Sequence, residues 1–118
     1  MKPVAFAPAY LWLIPLMTEI AREHGYALAV HGSINRDLDL IAVPWVEEVK
    51  PATELVEALR ECVCGNIRSY VRGAGGNDVC VNPENKPHGR VAWSIHMQYP
   101  HLYIDLSVMP VQQKGSET

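Results

Sequence analysis

Asp37-Leu-Asp-Leu-Ile-Ala-Val43 is the stretch on which the fold turns. It alternates over its first residues and then becomes wholly apolar, the pattern of a central strand with one acidic end. Side chains two apart in a strand share a face, so Asp37 and Asp39 are expected to point together while Leu38 and Leu40 point the other way. Two carboxylates about 5.5 Å apart repel by roughly 3 kcal/mol at an effective dielectric near 20. A hard divalent cation with oxygen ligands is the simplest relief, and a salt bridge to Arg36 or Arg90 is the plainer alternative.

Working outward from this strand, His31-Gly-Ser-Ile-Asn-Arg36 is a turn-like connection, and Tyr26-Ala-Leu-Ala-Val30 ahead of it reads as a buried strand. Before that, Leu11, Leu13, Ile14, Met17, Ile20 and Ala21 recur at helical spacing from about Ala9 to His24, and Gly25 supplies the stop. Lys2 and the apolar run Val4 to Met17 superficially resemble a signal peptide. Pro8 and Pro15 interrupt that run, it is too short to span a bilayer, and its continuation is amphipathic, so a first helix is the expectation.

On the other side, Pro44 and Trp45 end the strand. Leu55, Val56, Leu59 and Val63 then form one stripe of a second helix, started by Pro51 and expected to close at Gly65. From Gly73 to Gly89 the composition turns to Gly, Asn, Pro and Lys, with Val79-Cys-Val81 as a candidate short strand. Val91 to Met97 and Leu102 to Val108 both alternate and read as an antiparallel pair. Residues Gln112 to Thr118 read as a frayed tail. The expected fold is α+β: a small mixed or antiparallel sheet of four to five strands with two helices packed on one face, in a single domain over residues 1–118.

Apolar residues make up 48% and charged residues 19% of the 118, which is globular composition and excludes a disordered chain. A net charge of −3 gives no general attraction for nucleic acid, and Arg36, Arg60, Arg68, Arg72, Lys86 and Arg90 are scattered rather than clustered. The odd count of 3 cysteines points to a reducing compartment, hence the cytoplasm. A zinc site from Cys62, Cys64, Cys80 and His88 is disfavoured, because two cysteines two apart on a helix face different sides. Trp12, Trp45 and Trp93 read as core and rim packing.

The last strand brings a third acid. Leu102, Ile104, Leu106 and Val108 form its apolar face and leave Tyr103, Asp105 and Ser107 on the other. An acid in so apolar a strand reaches a cleft, pairs with arginine or binds metal. Ser94 and His96 share a face of the neighbouring strand, and strand pairing could bring them beside Asp105 as a base or a supporting partner. His31 has the same standing, and Pro87-His-Gly-Arg90 is a candidate substrate loop whose Arg90 meets phosphate.

A strand followed by Gly32-Ser33, then Asp37-Leu-Asp39-Leu-Ile, and later Tyr-Ile-Asp105-Leu, resembles the minimal nucleotidyltransferase superfamily, the polymerase-beta-like fold, in a shortened form. The resemblance implies that Asp37, Asp39 and Asp105 hold Mg2+ or Mn2+ and that Asp105 also helps deprotonate the acceptor hydroxyl. It further implies that Gly32, Ser33 and Arg36 bind the nucleotide. The chain departs from that pattern in having only Ile34, Asn35 and Arg36 where the family places a short helix. The implied ligand is a nucleoside triphosphate, with a protein partner or a second copy as a further candidate and no membrane. A non-catalytic protein of the same fold, and a phosphodiester hydrolase using the same metals, are the rival expectations.

Overall fold

Tyr26–His31 (β1) and Leu38–Pro44 (β2) form an antiparallel hairpin. β2 then runs parallel to Leu102–Val108 (β6), which pairs antiparallel with Val91–Met97 (β5). Val79–Cys80 (β3) and Glu84–Asn85 (β4) both pair with β5, at different points along it. The order across the sheet is therefore β1-β2-β6-β5-β3, with β4 alongside the other part of β5. These relations come from a computed structural model, which describes residues 8–32, 34, 37–74, 79–80, 83–98 and 101–111.

Helices Pro8–Glu23 (α1) and Ala52–Tyr70 (α2) cover one face of this sheet. Tyr10, Leu13, Met17 and Ala21 from α1, and Leu55, Leu59, Val63 and Ile67 from α2, join Leu38, Leu40, Trp93, Ile95, Ile104 and Leu106 in one core. The fold is thus α+β with a mixed sheet and two helices, as the strand and helix patterns predict. The parallel pairing of β2 with β6 needs the long crossover through α2, β3, β4 and β5, and it seats both strands in the sheet interior. Among the described residues, no helix is long and apolar enough to cross a membrane.

Several local expectations are corrected. Gly65 does not end α2, because the buried stripe continues at the same spacing to Ile67. Burying that side chain is worth about 1.5–3 kcal/mol, which outweighs the roughly 1 kcal/mol cost of a helical glycine. β1 is an edge strand with largely exposed side chains rather than a buried one, since β2 is its only strand partner among the described residues. On α1 the side chain turned inward is Tyr10, while Leu11 is exposed. Trp93 is core and Trp12 stacks edge-on against Tyr70, but Trp45 stands 75% exposed just past β2. Val81 and the expected frayed tail at residues 112–118 lie outside the described residues.

Candidate active site

The open face of the sheet, opposite the helices, carries the residues singled out for chemistry. Pairing register places His31 against Asp39, Asp39 against Asp105, and Asp105 against Ser94. Residues paired in this way share a face, so these four form one polar row across four strands. Two carboxylates thereby stand on neighbouring interior strands, about 4.8 Å apart at the backbone. Neither has an ion-pair partner among the described residues. Arg90, the guanidinium that could have neutralised Asp105, instead donates to Ser107 Oγ at 3.1 Å.

Burial raises the Asp105 carboxyl above its ordinary value, and the Asp39 charge raises it further. Lys86, His31 and Arg90 pull in the opposite direction without reversing the shift. Lys86 reaches this neighbourhood from the segment after β4, where its ammonium pairs with Glu84 Oε1 at 2.6 Å. Asp105 is therefore a half-buried carboxylate beside a second one, with basic residues at its margin.

Gly32, immediately after β1, lies against this pair. It has φ +74°, and a Cβ there would come within 3.3 Å of Asp39 Oδ2. Only glycine combines that backbone angle with so close an approach. Ser33 and Arg36, expected beside it, fall outside the described residues.

Asp37 is exposed in a bend one residue before β2 starts, so the strand alternation that would align it with Asp39 does not extend to it. Among the described residues, no three His, Cys, Asp or Glu side chains gather in a metal-binding group. Strand register brings Asp39 and Asp105 together, and Asp37 stands one residue ahead of β2.

β2 begins opposite Ile104, leaving Tyr103 without a strand partner on that side. The buried Tyr10 hydroxyl fills the gap: it donates to Tyr103 O at 3.2 Å and accepts from Tyr103 N–H at 2.9 Å. Burial raises the Tyr10 phenol, the bond to the Tyr103 carbonyl lowers it, and the charges of Asp37 and Asp39 raise it again. Tyr103 is further held by Ser94, whose Oγ lies 2.9 Å from the phenol oxygen, and by His96, whose ring stacks on it at 5.6 Å and 12°. Of the two residues expected beside Asp105, Ser94 is its register partner, whereas His96 is the partner of Tyr103 and stacks on that ring instead.

Sequence reasoning missed Tyr10 and Lys86. Tyr10 sits on the apolar stripe of α1 and carries a signal only once its partner strand is known. Lys86 is one of several scattered basic residues. A wide depression bordered by Val43, Trp45, Val46, His88 and Val111 opens where β2 ends and contains none of the polar row. No family model matches the chain, and no curated protein matches it in sequence.

Proposed function

We propose that the chain is a metal-dependent nucleotidyltransferase-like protein that moves a nucleotide from a nucleoside triphosphate to a hydroxyl acceptor. The observation that carries this reading is the register pairing of Asp39 with Asp105, two half-buried carboxylates with no counter-ion among the described residues. The donor set suits Mg2+ or Mn2+, which are commonly held by one or two carboxylates, with water and substrate phosphate filling the other positions. Asp39 and Asp105 would hold the metal, with Asp37 as the adjacent third acid. When bound, the metal would supply charge stabilisation at the oxygens of the transferring phosphoryl group.

The chain's own residues account for the rest of the reaction. The acceptor oxygen attacks the α-phosphorus, the bond to the pyrophosphate oxygen breaks, and the hydroxyl proton passes to Asp105. Gly32 leaves room beside Asp39 for a phosphate to approach. Lys86 and Arg90 bring positive charge to the margin of the site, where an anionic substrate would enter. Ser33 and Arg36 belong to this reading through the family resemblance alone. The odd cysteine count supports a cytoplasmic setting.

The exposed position of Asp37 ahead of β2 favours a second reading, a protein of this fold that binds nucleotide or a partner chain without turnover. Incubation with labelled nucleoside triphosphates and Mg2+ or Mn2+, followed by product separation, decides between them. The first reading expects pyrophosphate release that is lost in Asp39→Ala and Asp105→Ala. Binding without product supports the second, and absence of metal-dependent nucleotide binding removes the first and leaves the second only as a binder of a partner chain.

A further inference from the structure

Tyr103 is held far more firmly than a residue on an open sheet face requires. Both of its backbone polar groups bond to the Tyr10 hydroxyl, its own hydroxyl meets Ser94 Oγ, and one ring face is covered by His96. His96 comes from β5, so the other ring face looks toward the β2 side. There β2 has not yet begun, and no ring among the described residues stacks on it. Tyr103 and Asp105 are two apart on one strand face, roughly 6.6 Å along the chain.

We propose that the face of the Tyr103 ring turned away from His96 is the platform on which the base of the bound nucleotide stacks, with His96 as its backing. The proposal rests on the nucleotide reading above and extends it from the phosphate end of the ligand to the base end. A ring fixed before binding loses little conformational freedom when the base arrives, which is the advantage of preorganisation. The separation between Tyr103 and Asp105 is of the size a ribose spans, so a base on Tyr103 leaves its phosphates beside the acidic pair. Stacking accepts any base, because every base offers a π face. The site therefore selects nucleotides over bare polyphosphate while discriminating little among bases.

The test compares a nucleoside triphosphate with inorganic triphosphate, each in Mg2+, by calorimetry on wild type, Tyr103→Leu and Asp39→Asn. Leucine keeps apolar bulk on the hairpin but removes the π face. Wild type is expected to bind the nucleoside form more tightly, and Tyr103→Leu to lose about fivefold to a hundredfold of that affinity while its inorganic triphosphate binding stays unchanged. Asp39→Asn should weaken both ligands. As a readout independent of the variant's folding, base protons of the nucleotide should shift upfield on binding to wild type. Equal wild-type affinity for the two ligands, a parallel loss of both in Tyr103→Leu, or unshifted base protons overturns the platform. If inorganic triphosphate binding nonetheless depends on Asp39, the acidic pair survives that result. Failure of wild type to bind either ligand overturns the platform and the nucleotide reading together.

Discussion

Replacing Asp105 by asparagine should stabilise the metal-free protein at neutral pH, although it removes a charged group from the middle of the sheet. Asp39 and Asp105 are register partners on strands about 4.8 Å apart. At a carboxylate separation of about 5 Å their repulsion is roughly 3 kcal/mol at an effective dielectric of 20 and below about 1 kcal/mol in water. Both groups are half-buried, and Lys86, His31 and Arg90 offset part of the repulsion. A gain of about 1 kcal/mol is the working figure, which corresponds to a rise in Tm of about 4 °C for a domain of this size. Asparagine nearly preserves the shape, so little packing changes with the charge. The direction of the pH dependence follows from the raised carboxyl value. The folded protein takes up the proton before the unfolded chain does, so the wild type's deficit is full at neutral pH and shrinks as pH falls toward the ordinary aspartate range. Thermal denaturation of both proteins in chelator from pH 3 to 8 measures the gap. Millimolar Mg2+ should then raise the wild-type Tm and leave the variant nearly unmoved. A less stable Asn variant at pH 7, or a gap independent of pH, would refute the account of an uncompensated acidic pair.

Tyr10→Phe removes the hydroxyl that satisfies both backbone groups of Tyr103 and should cost about 1–3 kcal/mol in urea denaturation. Gly65→Ala, in an exposed helix interior with open space around the new methyl, should add up to about 1 kcal/mol in the same assay. Gly32→Ala meets a positive φ and the Asp39 carboxylate at once; it should destabilise by about 1 kcal/mol or more and weaken Mg2+ binding by titration. Ile104→Ala in the centre of the core should cost about 2–5 kcal/mol.

Much of this architecture can be read along the chain, because the signals involved are local. The 2-residue period of Val91 to Met97 and Leu102 to Val108 follows from the pleat, and the stripe from Leu55 to Val63 follows from the turn of a helix. The same local reading sorts Asp105 onto the polar side of its strand. It stops short where a long-range partner decides the outcome. Gly65 looks like a helix end until Ile67 is seen buried beneath the sheet, and Tyr26 to Val30 looks interior until the sheet order leaves it at an edge. Asp37 looks like the twin of Asp39 until pairing with β6 starts at Leu38.

Residue order alone therefore settles which elements exist and which face of each is apolar, since neighbouring bonds impose those periods. Which strand lies beside which is a matter of pairing across gaps of tens of residues, driven by burial of the common core. That pairing joins Asp39 to Asp105 across a parallel ladder, and it sends the Tyr10 hydroxyl to the unpaired end of β6. No pattern within either segment encodes such a meeting, because the groups concerned gain a reason to meet only when the helices and the sheet close on each other.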